Sequence, residues 1–497
     1  MPKTVKKDNK KDSAKTKKII GLCGAGVLVL AVAIGFIFAL KNKSNDTSIE
    51  TGVDANTLSG DARKLTVGAD GVEITSGGIY ELSDNIASGS VIIRANNADV
   101  QLILNSVSIT NNDGPAIFVE SADNVYVELK GDNTINATPT ADYDGAIHSK
   151  SDLALTGEGT LTISSTIDGI VGKDDLQIDG GSYTISAQDD GIVGKDSLKI
   201  TNGSFNISAI SGHGLKTSNE EEKGDMEITG GEFKITTGVD GLHSVANILV
   251  SGGNIEIAAD DDGIHADKAT IIDNGAINIT KSYEGIEGGE ITVNGGDIKV
   301  ISSDDGFNAA GGSDTGKTQD PFAGDISKVL AINGGTIYVN ASGDGLDSNG
   351  NVYINGGTTY VDGPINDGNG PMDYGDQGCE FKITGGTLIA VGSSGMAVNA
   401  TSATQPSVLM NLSGSYSGEL SFGGINYTPA KSYSSVLISS PNLSLGSSYT
   451  LTISGAEVQT IAINDYLTRT GNAGMMPGMG GDQQGGRQGG AMMPGRR

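Results

Sequence analysis

Acidic residues that directly precede glycine recur along this sequence and could together bind cations. We call the position that they share, which holds histidine in one repeat, the acid column: Asp113, Asp144, Asp168, Asp190, His213, Asp240, Asp262, Glu284, Asp305, Asp344 and Asp367. Several repeats carry further acids just before this position: Asp189, Asp260, Asp261 and Asp304. Carboxylates stacked about 5 Å apart repel each other by about 1 kcal/mol in water and about 3 kcal/mol at an effective dielectric constant near 20. Cations between them would remove this repulsion.

Calcium is the cation that such a column favours, because it accepts six to eight oxygen ligands in loose geometry. Magnesium requires stricter octahedral sites, and transition metals favour histidine or cysteine ligands. The densest part of the column, from Asp240 to Asp305, is the best calcium candidate. A plainer alternative stays open, in which the acids are solvated and Asp-Gly is simply a favoured turn pair.

A second set of positions follows the acid column by three residues and is expected to point outward. It begins with Val171 and Val193 and then turns polar. We call its polar part the polar ladder: Lys216, His243, His265, Glu287, Asn308 and Asp347. The four histidines of the chain, His148 among them, lie in or beside these two columns. The polar ladder is therefore the predicted binding face.

The elements that position these residues are predicted by a sequence repeat of about 22 residues. Its glycine markers are Gly181, Gly203, Gly231, Gly253, Gly275, Gly296, Gly335, Gly357 and Gly386. Alternating β-branched and aromatic residues surround each marker, which is typical of short strands. Strands repeated at a fixed interval predict an all-β fold, a right-handed parallel β-helix in which equivalent residues stack about 4.8 Å apart. The column Tyr183, Phe205 and Phe233 is expected to fill its core.

The chain divides by composition into six predicted segments. They are a basic cytoplasmic segment (1–18), a transmembrane helix (19–40), a linker (41–70), the β-helix (71–405), a β cap (406–465) and a disordered tail (466–497). The apolar run is long enough to cross a bilayer, and the lysines before it place the N-terminus inside the cell. We expect a single-pass membrane protein with most of the chain outside the cell. A net charge of −28 argues against nucleic-acid binding.

Three motifs resemble the carbohydrate-binding, polysaccharide-lyase-like domain of bacterial cell-surface proteins. They are DDGIHADKATIIDNGAINIT from Asp261, SSDDGFNAA from Ser302 and VDGPINDGNGPMDYGD from Val361. The resemblance covers about residues 70–465 and implies a right-handed parallel β-helix, several bound calcium ions and binding of cellulose or pectin. At the matching positions, it implies a calcium role for Asp261, Asp262, Glu284, Asp304 and Asp305.

Three functions follow from these observations. The first is calcium-dependent binding of a plant-type polysaccharide such as polygalacturonate or cellulose, with the polar ladder as the contact face. The second is a pectate-type lyase, in which calcium acidifies the proton beside the uronate carboxylate and Lys216 or Lys268 removes it. The third is a structural adhesin that uses a stiff rod for reach.

Overall fold

The structure is a computed structural model that describes residues 58–219, 223–310, 324–376 and 378–471. These residues form β-strands without a helix, which confirms the predicted all-β class. Within these ranges there is accordingly no helix long and apolar enough to cross a membrane. The predicted basic segment and transmembrane helix lie outside the described residues, so both stay predictions.

The first eleven strands lead up to the regular repeats. They are β1 Arg63–Lys64, β2 Gly71–Ile74, β3 Gly78–Leu82, β4 Ser90–Arg94, β5 Val100–Asn105, β6 Ser108–Asn111, β7 Ile117–Ser121, β8 Asn124–Lys130, β9 Asp132–Ala137, β10 Gly145–Ser149 and β11 Asp152–Ser165. Strand β1 pairs with β3, so the stacking begins before the predicted boundary at residue 71.

The next twenty-two strands carry the acid column from Asp168 onwards and the polar ladder. They are β12 Asp168–Gly172, β13 Asp175–Ala187, β14 Ile192–Gly194, β15 Ser197–Ala209, β16 Leu215–Thr217, β17 Asp225–Ile228, β18 Glu232–Thr237, β19 Leu242–Ser244, β20 Asn247–Val250, β21 Asn254–Ala259, β22 Ile264–Ile272, β23 Ala276–Lys281, β24 Ile286–Val293, β25 Asp297–Ser302, β26 Phe307–Ala309, β27 Val329–Ile332, β28 Thr336–Ala341, β29 Leu346–Ser348, β30 Asn351–Ile354, β31 Thr358–Asp362, β32 Phe381–Ile383 and β33 Thr387–Gly392.

The last strands close the C-terminal end of the described chain. They are β34 Ser402–Ala403, β35 Ser407–Tyr416, β36 Leu420–Phe422, β37 Ile425–Tyr427, β38 Tyr433–Ser439, β39 Ser448–Ile453, β40 Ala456–Ala462 and β41 Leu467–Thr470. Strands β36, β37, β39 and β40 form a separate antiparallel sheet, and β38 pairs antiparallel with β33. Strand β41 pairs with β35, so the prediction of disorder from residue 466 is wrong for Leu467–Thr470. Residues 472–497 lie outside the described part.

Each strand of the repeats pairs in parallel with the equivalent strand of the next repeat. Ile185 pairs with Ile207, Ile207 with Ile235, and Ile235 with Ile257. The repeat length matches the length of chain between paired strands, so identical positions lie beside one another. This register produces the columns that the sequence pattern predicts.

The inward columns form one continuous apolar core. Ile178, Ile200 and Ile228 are fully buried, as are their equivalents in the later repeats. The rings of Tyr183 and Phe205 stack with centroids 5.0 Å apart, and those of Phe205 and Phe233 lie 4.7 Å apart. All three rings are at most 4% exposed, which confirms their predicted core role.

Two kinds of glycine make this stacking possible, for different reasons. The marker glycines adopt positive φ angles, for example 94° at Gly296, a conformation that glycine accepts without strain. Gly263, in an Asp-Gly pair, has no positive φ. A Cβ atom there would lie 2.6 Å from the carbonyl oxygen of Gly285. Close backbone packing therefore requires glycine at position 263, and the turn-pair explanation does not hold for Gly263.

Candidate functional site

The acid column has a structural role that sequence reasoning missed. In five of the acids, one oxygen accepts a hydrogen bond from the backbone N–H of the next acid-column residue: Asp168, Asp190, Asp240, Asp262 and Asp305. Asp168 accepts from Asp190 at 2.9 Å, Asp190 from His213 at 2.8 Å, and Asp240 from Asp262 at 3.0 Å. These bonds hold successive repeats together. They leave the second oxygen of each carboxylate for other partners.

Basic side chains contact the second oxygen of Asp190 and of Asp240. Lys216 Nζ lies 2.8 Å from Asp190 Oδ2. Asp240 Oδ2 lies 3.3 Å from His213 Nδ1 and 2.9 Å from His243 Nδ1. Burial disfavours the charged carboxylate of Asp240, but the hydrogen bonds with the two histidines outweigh burial and hold its pKa well below the ordinary value. Asp240 is therefore a stable carboxylate.

In the next two acids, such contacts do not outweigh burial. Burial raises the pKa of Asp262 to about 7; the hydrogen bond with His265 opposes the rise and repulsion from Asp240 adds to it. Burial, followed by repulsion from Glu287 and Asp262, raises the pKa of Glu284 to about 9. Carboxyl groups held close together in a partly buried place favour protonation or a bound cation. Repulsion between carboxyl groups therefore affects Asp262 and Glu284, as it also affects Asp168 near the start of the column.

The polar ladder forms in the predicted register. Lys216 pairs with His243, His243 with His265, and His265 with Glu287. The imidazole rings of His243 and His265 stack with centroids 5.0 Å apart. Glu287 then pairs with Asn308, and Asn308 with Asp347. His148, Val171 and Val193 belong to the same line of paired residues.

The predicted outward orientation is wrong for part of this line. Val171 is fully buried and Val193 is 6% exposed, while His265 and Asn308 are 5% and 9% exposed. His265 contacts three carboxylates and the amide of Asn308 donates to Glu284 Oε2 at 2.9 Å, so each is held within its own polar cluster. A role in carbohydrate binding stays a prediction for the whole polar ladder.

A pocket of about 340 Å³ opens where the two columns meet. Its lining contains three histidines, five acids, a tyrosine and a valine: His213, Val239, Asp240, His243, Asp261, Asp262, His265, Tyr283, Glu284 and Glu287. Four of the six predicted calcium ligands and three of the six polar-ladder residues thus lie around one space. Oxygen atoms of Asp240, Asp261 and Asp262 lie within 4.8 Å of one another. The pocket is a candidate cation site.

Sequence reasoning placed His213 in the acid column without assigning it to the site. The signal that could have identified it is its position beside His243 in consecutive repeats, since their rings lie 4.3 Å apart. Tyr283 is 48% exposed at the pocket, and its hydroxyl bonds with the Asp304 carboxylate, which raises the pKa of Tyr283 to about 12.

The two remaining predicted calcium ligands, Asp304 and Asp305, lie beyond the pocket. Asp305 Oδ1 accepts a hydrogen bond from the Asp344 backbone N–H at 2.6 Å. Burial, only partly offset by this bond, raises the pKa of Asp305 to about 6. Burial and repulsion from Asp305 raise the pKa of Asp347 well above its ordinary value. Buried carboxyl groups that repel each other therefore continue along the column beyond the pocket.

The two candidate lyase bases do not line the pocket, whose lining contains neither lysine nor arginine. Lys216 is held by Asp190, as described above. Lys268 lies exposed in β22, three residues beyond His265. The lyase hypothesis with Lys216 or Lys268 as the base therefore gains no support from the pocket and stays a prediction.

Comparison with known proteins associates this region with carbohydrate binding. Residues 69–306 match the family described as carbohydrate-binding domain-containing protein. All residues that line the pocket fall within that segment. A carbohydrate-binding domain-containing protein of Acetivibrio thermocellus is 28% identical over 143 residues, which cover 26% of this chain and 48% of the relative. The match thus spans about half the length of that relative.

One solved structure is also similar, the polysaccharide lyase-like protein from C. thermocellum in a gadolinium derivative. It is 28% identical, with a TM-score of 0.40, and the match covers 43% of this chain and 91% of that chain.

Proposed function

We propose that this protein binds an acidic plant-type polysaccharide, such as polygalacturonate, through calcium ions held along the acid column. The observation that carries the proposal is the pocket, where five carboxylates converge within the segment that matches the carbohydrate-binding family. Carboxylates that repel each other in one pocket bind a divalent cation in preference to remaining charged and unpaired.

Calcium would be held in the pocket by Asp240, Asp261, Asp262 and Glu284. Asp261 is exposed at the pocket, whereas Asp240 and Asp262 are 4% and 6% exposed. The buried Asp240 and Asp262 would therefore be rigid ligands, whereas the exposed Asp261 can adjust its position. The pocket leaves room for oxygen atoms of a bound molecule to complete the coordination. Asp304 and Asp305 would hold calcium in the same way in the following repeat.

A uronate polymer suits this surface better than a neutral one. The uronate carboxylates would otherwise be repelled by the acids, so a cation that bridges the two sides gives both attraction and selectivity. The chain contains no tryptophan, which argues against a flat stacking surface for crystalline cellulose. Tyr283 offers a single exposed ring beside the pocket.

The fold that carries this site would be a right-handed parallel β-helix. The segment 19–40 would anchor the chain in the membrane, with the repeats outside the cell. The in-register parallel strand pairs support the β-helix. Its handedness is testable from an electron-density map. Fractionation of cells that express the full chain tests the anchor, because an anchored chain stays with the membrane after salt and alkaline washing.

Binding of the full chain to polygalacturonate, with calcium and with a chelator, tests the function. We expect binding with calcium and its loss with the chelator. Asp261→Asn should weaken binding, because it removes a charged ligand from the pocket. Asp260→Asn is the matched control, because the neighbouring Asp260 is exposed, pairs with Lys281 and does not line the pocket.

The same mixtures of protein and polygalacturonate distinguish this function from a lyase and from a structural adhesin. A lyase would release unsaturated uronate, measured by its ultraviolet absorbance, in a calcium-dependent reaction. An adhesin without glycan affinity would bind no polysaccharide under either condition. Binding that persists in chelator, or that Asp261→Asn and Asp260→Asn alter equally, would contradict calcium-mediated recognition in the pocket.

A further inference from the structure

One end of the pocket differs chemically from the rest, because nitrogen ligands converge there. The Nδ1 atoms of His213 and His243 both approach Oδ2 of Asp240, at 3.3 and 2.9 Å. One ligand atom from each of the three residues lies within 4.8 Å of the others. The two imidazole rings come from consecutive repeats, with centroids 4.3 Å apart. These residues therefore form a compact group of two nitrogens and one oxygen.

The spacing of this group fits a small tetrahedral cation. Zinc binds histidine nitrogen and carboxylate oxygen at about 2.0–2.2 Å, which places neighbouring ligand atoms of a tetrahedral site about 3.3 Å apart. The His213–Asp240 distance equals this value, and the His243–Asp240 distance is a few tenths of an ångström shorter. A small outward shift of His243, which is only partly buried, would complete the geometry.

We propose that His213, Asp240 and His243 form a binding site for a late first-row transition metal, with Zn²⁺ as the best fit. Three protein ligands leave a fourth position open towards the pocket, which is the arrangement of zinc sites that bind a water or a further molecule. The backbone N–H of Asp262 donates to Asp240 Oδ1 at 3.0 Å and fixes the orientation of this carboxylate, as outer-shell partners do in zinc sites.

The neighbouring histidine group is less suited to a metal. His265 Nδ1 lies 3.2 Å from Asp262 and 2.7 Å from Glu287, and its Nε2 lies 3.3 Å from Asp267. Carboxylates thus occupy both ring nitrogens of His265. In the first group, the carboxylate of Asp240 is the shared partner of both histidines, so one cation can replace the protons between them.

The zinc site does not depend on polysaccharide binding and is chemically distinct from the proposed calcium site. Calcium prefers oxygen ligands, whereas imidazole suits zinc and its neighbours in the first transition series. Asp240 belongs to both groups and would bridge them. Asp261 belongs to the oxygen group alone and His243 to the nitrogen group alone. Substitution of these two residues therefore separates the two sites.

Zinc calorimetry on the untagged full chain, treated with chelator and then kept in excess calcium, tests the proposal. We expect one zinc ion to bind, and His243→Ala to weaken this binding at least tenfold, since loss of outer-shell partners alone costs about 10–100-fold. Asp261→Asn should keep its zinc affinity. The variant Cys379→Ser is a further control, because Cys379 is a free thiol away from the pocket that could bind zinc on its own.

The absorption spectrum of bound cobalt tests the site in the wild-type chain, so this measurement does not require that a variant folds. Co²⁺ added to the wild-type chain should give the intense visible absorption of a tetrahedral site, and zinc should abolish it. An octahedral cobalt spectrum, zinc displaced by millimolar calcium, or equal zinc affinity in wild type and a folded His243→Ala would overturn the proposal. Loss of zinc binding only in Cys379→Ser would overturn it too. Failure of polygalacturonate binding would leave these readouts unchanged.

Discussion

Asp168→Asn tests whether repulsion between the carboxylates of the acid column destabilises the metal-free protein. Asp168 is 6% exposed, and its Oδ1 accepts a hydrogen bond from the Asp190 backbone N–H at 2.9 Å. Burial and repulsion from Asp190 raise its pKa from 3.8 to about 7. Asparagine keeps the acceptor oxygen and the shape, but it removes the charge.

The magnitude follows from the pKa shift. A difference of about three pK units corresponds to about 4 kcal/mol at about 1.4 kcal/mol per unit, an upper limit because solvent screens part of it. Since the raised pKa means that folding favours the protonated acid, the wild-type chain loses stability as the pH rises from 3.8 to about 7. We therefore expect Asp168→Asn to stabilise the metal-free protein by about 2 kcal/mol near pH 8 and to have little effect near pH 3.

Thermal unfolding in chelator at the two pH values measures this effect. Asp240→Asn is the control, because the pKa of Asp240 is lowered by His213 and His243, and loss of its charge should destabilise the protein near pH 8. A lower melting temperature for Asp168→Asn than for wild type in chelator at pH 8 would refute the claim that carboxylate repulsion destabilises the metal-free protein. Equal effects of the two substitutions would refute it as well.

Three further predictions concern the supporting structure. Gly263→Ala should cost about 1–3 kcal/mol, because the new Cβ meets the Gly285 carbonyl, whereas Gly414→Ala, in open space, should be near neutral in thermal unfolding. Phe205→Ala should cost about 3–5 kcal/mol by loss of the stacked core ring, and Ile210→Ala, 61% exposed, less than about 0.5 kcal/mol in the same assay. Lys216→Ala should lower the melting temperature, because it leaves the buried Asp190 carboxylate unpaired, and should leave polygalacturonate affinity nearly unchanged, as measured by calorimetry. A large loss of that affinity would instead place Lys216 in the binding face.

The sequence predicted those features that depend on the repeat alone. Ile185 and Ile207 occupy equivalent positions in consecutive repeats, and strand stacking at a constant repeat length necessarily brings them together. The same argument places His243 beside His265 and Glu287 beside Asn308. Column membership follows from counting residues, so it needs no knowledge of side-chain conformation.

Features that depend on atomic distances could not be predicted in this way. The hydrogen bond from the Asp262 backbone N–H to Asp240 Oδ1 depends on the side-chain rotamer, and it gives Asp240 a structural role that counting does not reveal. The burial of Val171 depends on what covers that position, which the repeat does not specify. The convergence of His213 and His243 on one oxygen depends on both ring orientations. Counting therefore predicted which residues share a column, and the geometry shows that carboxylate oxygens and imidazole nitrogens line one pocket.

Coupling between calcium and an oligogalacturonate most directly tests the central claim that cations on the acid column mediate carbohydrate recognition. Calorimetry would measure the affinity for the oligosaccharide with and without calcium, and the affinity for calcium with and without the oligosaccharide. If the cation bridges protein and sugar, each ligand must strengthen binding of the other by the same factor. We predict at least about a tenfold increase in both directions, which corresponds to about 1.4 kcal/mol. Two affinities that do not depend on each other would contradict the account.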